Sequence, residues 1–103
     1  MLDILPPPAI YDHAYAGNLS VEILSLEALR ARCIALGSKP SKLDIIYGCA
    51  KHDAGIWCLI VLPEVNGWWI SQRDQDELRT HELAHCNGWP ADHSNPGGGN
   101  AGP

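Results

Sequence analysis

The stretch His81-Glu82-Leu83-Ala84-His85, continuing Cys86-Asn87-Gly88-Trp89-Pro90-Ala91-Asp92-His93, decides how the rest of the chain reads. On a helix, residues four apart share a face, so His81 and His85 present their imidazoles side by side. That spacing suits two ligands of one tetrahedral zinc ion. Glu82 lies about 100° round the helix from His81 and about 60° from His85. It is too close in sequence to be an easy third ligand, but well placed to take a proton from a water at the metal. A solvated, charged helix face would show the same five residues, so the flanks matter. Asp74-x-x-Glu77 reads as a capping box opening the helix, with Asp76 and Glu77 at the positive end of its dipole. Gly88 stands where a left-handed residue ends a helix, and Pro90 prevents continuation. The pattern predicts a short helix from about Gln75 to Asn87, with a third histidine directly after it.

Upstream, Leu19, Val21 and Ile23 alternate with Asn18, Ser20 and Glu22, the period of a half-buried strand. Ser25 reads as an N-cap, and Leu26, Leu29, Cys33 and Leu36 come next at helical spacing with Arg30 and Arg32 turned outward. Gly37 and Pro40 end that helix. A second strand is predicted from about Leu43 to Ala50, a turn over Lys51 to Gly55, and a third strand from Ile56 to Leu62, stopped by Pro63. Glu64 to Ser71 is a connection containing the turn signal Asn66-Gly67 and the pair Trp68-Trp69. The predicted fold class is α+β: a β-α-β-β-α domain over residues 18–93, with a small mixed sheet, a backing helix and a metal-bearing helix. Residues 1–17 read as an extended arm on the body, and the Gly/Pro-rich tail of residues 94–103 as disordered. Trp68, Trp69 and Trp89 read as aromatic core in a chain without phenylalanine, the alternative being walls of a substrate cleft. His13 and His52 read as surface histidines.

A chain of 103 residues is expected to form one domain with a single modest core. Its net charge of −5 argues against nucleic acid or an anionic membrane as the main partner. The longest apolar run, Ile56 to Leu62, is far too short to span a bilayer. The start, Met1-Leu2-Asp3-Ile4-Leu5, does not read as a signal peptide, so a cytoplasmic location is expected, with association with a phage particle as the alternative. Cys33, Cys49, Cys58 and Cys86 contain no Cys-x-x-Cys pair; in a reducing cytosol they read as small core residues. The other reading is a disulfide between Cys49 and Cys58 across a hairpin.

The stretch His81 to His93 resembles the zincin metallopeptidases, and His-Glu-x-x-His-x-x-Gly is the opening of the metzincin signature. With Gly48-Cys49-Ala50 and Cys58-x-Ile60, the chain is also similar to small zincin-like proteins of prophages and mobile elements. The resemblance covers roughly the second half of the chain. It implies zinc, an edge strand over the cleft and a peptide substrate. The chain departs from the pattern at Ala91, where the metzincin third histidine would fall, and carries no methionine after the motif. Nor do the ten residues after His93 include the later glutamate of the gluzincins. His93 is therefore the first choice for third ligand and Asp92 the second. The expected activity is that of a zinc-dependent hydrolase acting on peptide or protein, with Glu82 as general base and His81, His85 and His93 on the metal. Tyr47, His52 and Arg73 are candidate donors to the oxyanion. The rival reading is a non-catalytic zinc-stabilised interaction or assembly module.

Overall fold

A computed structural model describes residues 2–40, 45–53 and 55–94. Strand β1 (Asn18–Leu24) leads into helix α1 (Leu26–Ala35); strands β2 (Cys49–Asp53) and β3 (Trp57–Pro63) come next, then helix α2 (Gln72–Cys86). The sheet order is β1-β3-β2, with β1 parallel and β2 antiparallel to β3. This is the α+β arrangement expected from the sequence, built on a mixed three-stranded sheet. The arm before β1 contains a single 3-10 turn, Ala9–Tyr11. The predicted disordered tail lies, from Asn95 on, outside the described residues.

The central strand β3 is apolar on both faces because each face is covered by a helix. Cys58, Ile60 and Leu62 pack with Leu78 and Cys86 of α2, while Val61 packs with Leu29 and Cys33 of α1 and with Cys49. Residue parity along the strand separates these two sets. The same parity corrects the expected Cys49–Cys58 pairing. Cys49 stands opposite Val61 and Cys58 opposite His52, so the two thiols emerge on opposite faces of the sheet. Each strand cysteine instead meets a helix: Cys33 is bonded to Cys49 and Cys58 to Cys86, so none of the four is free. The reading of the four as unlinked core residues is corrected with it.

Other boundaries move for local reasons. Strand β2 begins at Cys49 and continues through Lys51-His52-Asp53, where the sequence predicts a turn. The antiparallel register with β3 gives those polar residues ladder partners, so the reversal falls later, at Gly55. Of the predicted strand from Leu43, residues 43 and 44 lie outside the described residues, and 45–48 are irregular. Helix α2 starts one turn earlier than expected. Ser71 is its N-cap, accepting from the Asp74 N–H at 3.0 Å, and the Asp74 carboxylate accepts from the Ser71 N–H at 3.0 Å. Asp74 is thus the inner member of a capping box rather than the cap, and it is buried rather than facing water. In β1, Leu19, Val21 and Ile23 share the face of Cys58, Ile60 and Leu62 but remain substantially exposed, since α2 packs over β3 and β2 instead.

Candidate metal centre

Helix α2 carries His81 and His85 on one face, as the four-residue spacing requires. The turn beyond the helix brings in the third histidine. The Trp89 N–H donates to Ala84 O and the Gly88 N–H to His85 O, both at 3.0 Å, with Gly88 at φ 104°. This paired closure needs a left-handed residue, which glycine adopts without a steric penalty. Pro90 to His93 then form a second reversal, closed by the His93 N–H on Pro90 O at 2.8 Å. His93 itself sits at φ 60°, the one described non-glycine residue with positive φ. Such a backbone costs on the order of 1 kcal/mol and collects at functional sites. Its effect is to turn the imidazole back over α2.

The three rings meet at their Nε2 atoms. These are separated by 3.3 Å (His81–His85), 3.2 Å (His85–His93) and 3.1 Å (His93–His81). The Nδ1 atoms of His81 and His85 lie 2.8 Å from Leu5 O and Trp89 O respectively. A carbonyl oxygen can only accept, so in each of these rings Nδ1 carries the proton and Nε2 a lone pair. The His81 and His85 Nε2 lone pairs thus point at one place, where a cation, or the His93 Nε2 carrying a proton, would satisfy them. Tetrahedral geometry with zinc–nitrogen bonds of about 2.0 Å puts ligand nitrogens about 3.3 Å apart, close to what is found. The triad could therefore bind a metal ion. Burial keeps the imidazoles neutral: it lowers His81 and His93, and takes His85 down to about 4 despite the opposing hydrogen bond to Trp89 O.

Trp89 stands behind the triad. It is 2 % exposed, its indole lies 4.9 Å from the His85 ring at 15°, and its N–H donates to Ser94 O. The expectation of aromatic core holds for Trp89, which also shields the histidines from water. It fails for Trp68 and Trp69, which are 91 % and 71 % exposed. Asp92, the alternative ligand, is engaged elsewhere: its Oδ1 accepts from the Ser94 N–H at 2.9 Å. His13 and His52 are exposed and line a different hollow.

Glu82 projects from the flank of the same helix and is only 6 % exposed. It accepts no hydrogen bond from any described residue, and burial raises its pKa to about 8. A buried carboxyl with no partner among the described residues is uncommon, and such groups cluster at functional sites. Glu82, His81 and His93 line a cavity of about 460 Å³ together with Tyr47 and Gly48, which precede the edge strand β2. Arg73 is not there: it pairs with Glu77 at 3.1 Å on the exposed side of α2. His52 is absent as well, so Tyr47 alone of the three oxyanion candidates reaches the cavity.

Three contributors carry no signature in the motif. The Leu5 and Trp89 carbonyls orient ligand rings, which any residue type could do. Gly48 makes room: a Cβ there would lie 3.1 Å from Glu82 Oε2 and 3.1 Å from Val61 O. A glycine at the entrance to a strand was the available signal. No family model matches this sequence, and no curated protein or solved structure matches it significantly.

Proposed function

We propose that this protein is a zinc-dependent hydrolase of the zincin type, cleaving peptide bonds. The convergence of three imidazole Nε2 atoms beside a buried carboxyl with no hydrogen-bond partner among the described residues carries this reading. His81, His85 and His93 hold the metal. A zinc ion bound there supplies Lewis acidity, polarising a substrate carbonyl and acidifying water. Glu82 accepts the proton of the water as its oxygen bonds to the carbonyl carbon, and returns it to the amine nitrogen as the C–N bond breaks. Tyr47, which lines the same cavity, is the candidate donor to the carbonyl oxygen as charge develops there. Burial alone leaves the Glu82 carboxyl protonated at neutral pH; the charge of a zinc ion held by the three histidines would favour the carboxylate that accepts the proton.

The rival role, a metal that merely ties the fold together, gains no support from the architecture. Two disulfides already brace both helices to the sheet. They also favour an oxidising environment over the cytosol expected from the sequence. Among the described residues no helix is long and apolar enough to cross a membrane.

The test is Glu82→Gln. The amide has nearly the same volume but cannot accept a proton. The variant should retain fold and zinc while losing cleavage of a peptide library by roughly a hundred- to ten-thousand-fold. Cleavage equal to wild type would remove Glu82 from the chemistry; a zinc-loaded wild type that cleaves nothing would leave metal binding without hydrolysis.

A further inference from the structure

Trp68 and Trp69, the most exposed large apolar side chains among the described residues, are not on a loose loop. The Asn66 side chain accepts from the Trp68 N–H at 2.9 Å and the Trp69 N–H at 2.8 Å, and Asn66 and Ile70 are bridged through their backbones. Ile70, 1 % exposed, anchors the turn in the body. Two indoles are therefore held in water on a fixed support, giving up the burial that such large apolar side chains usually gain.

Arg30 shares a hollow with them. Leu26 and Arg30 lie one turn apart on α1, and with Trp68, Trp69, Tyr47 and Ile45 they bound a hollow of about 570 Å³. The Arg30 Nε is shielded from solvent and has no hydrogen-bond partner among the described residues. Its neighbour Arg32, by contrast, is engaged with Glu22 through two hydrogen bonds of 2.9 and 3.1 Å. The covered Nε leaves the terminal guanidinium nitrogens to meet a ligand; they too have no hydrogen-bond partner among the described residues, and a carboxylate matches their geometry best. The hollow also adjoins the cavity of the histidine triad: Leu2, Ile45 and Tyr47 line both.

We propose that the hollow between Arg30 and the Trp68–Trp69 turn is a recognition subsite for a carboxylate carried next to a large apolar or aromatic side chain of the substrate peptide. The carboxylate pairs with Arg30, and the apolar side chain lies against the indoles. The peptide then runs past Tyr47 toward Glu82. This subsite rests on the peptidase reading for its place in a substrate cleft, but its binding chemistry is independent of turnover. The carboxylate is either a C-terminal one or that of an acidic residue adjoining the apolar residue.

The experiment measures binding to Glu82→Gln protein by shifts of the tryptophan indole N–H resonances. The probes are N-acetylphenylalanine, its amide, and N-acetylglutamyl-phenylalaninamide. At least one carboxylate probe should bind on the order of tenfold more tightly than the neutral amide, as expected for a charge-assisted pair. The acid winning identifies a C-terminal carboxylate; the glutamyl probe winning identifies an internal acidic residue. Arg30→Gln should abolish the preference and Arg30→Lys should retain part of it, while Trp68→Ala should weaken all three probes. Thermal melts of each variant establish that it is folded. Equal binding of acid, glutamyl and neutral probes, or no binding at all, overturns the proposal. A preference that survives Arg30→Gln also overturns it, placing the carboxylate on the metal instead. Failure of wild type to cleave peptides leaves these binding results unchanged, so the two readings fail separately.

Discussion

Gly48 and Glu82 are a matched pair, because the space that a methyl would take at 48 is the space the carboxyl needs. Gly48→Ala should push the carboxyl aside by a few tenths of an ångström and lower turnover on the order of tenfold, with zinc retained. Measuring kcat and zinc content together checks this; an unchanged kcat would mean that Glu82 need not be held so closely. The same pair of measurements distinguishes the two candidates for third ligand. His93→Ala should weaken zinc binding and activity together, whereas Asp92→Asn should do neither, since Asp92 is occupied with the Ser94 N–H. If the asparagine variant loses metal, the turn is built otherwise than described. The pair His81 and His85 was legible from spacing alone, because a helix places residues four apart on one face whatever surrounds it. Residue 93 was a matter of preference between two neighbours. Choosing between them needed the left-handed turn that aims one ring inward and ties the other side chain to its own loop.

Helix α2 gathers most of the site, and its two ends are fixed by different devices. At the start stands the Ser71–Asp74 capping box, to which the arm adds the Leu2 N–H on Asp74 Oδ1 at 3.1 Å. Ser71→Ala should cost about 1 kcal/mol of stability, measurable by denaturant unfolding. The hydrogen bonds from the Ser71 and Leu2 N–H groups hold the Asp74 carboxyl below its ordinary value of 3.8. Its contribution is therefore present above that value and is lost as pH falls through the lower folded one. Wild type should lose stability more steeply than Asp74→Asn in that acid window; parallel curves would show that the cap does not titrate with folding. At the other end, the Cys58–Cys86 bond fixes the residue after His85 to β3. The sequence carried the helix and its stop signal, Gly88 and Pro90, but misplaced the start. Ser71 and Asp74 each make a plausible cap, and only the neighbouring backbone distinguishes them.

For the molecule as a whole, β3 is the spine, and the helices are fastened to the two faces of the sheet through separate disulfides, α1 to β2 and α2 to β3. The bonded cysteines are 16 and 28 residues apart, and loops of that size contribute roughly 3 kcal/mol or slightly more each when closed. Strand count, helix count and order could be read from periodicity, because each element alternates or repeats in a way its burial demands. Cysteine pairing could not, since it depends on which face of the sheet each strand thiol leaves and on which helix covers that face. The arm was likewise visible only as an extended segment. It tracks α2 along its length, from Leu2 at Asp74, through Leu5 at His81, to Tyr11 and His13 at Asn87. A metal centre shared by a helix, a reversed turn and this arm is the central claim, and metal analysis after extensive dialysis tests it most directly. Wild type should hold one zinc per chain and His81→Ala or His85→Ala none, with both variants still folded through their disulfides. Wild-type protein free of stoichiometric metal, or histidine variants that keep it, would contradict the account.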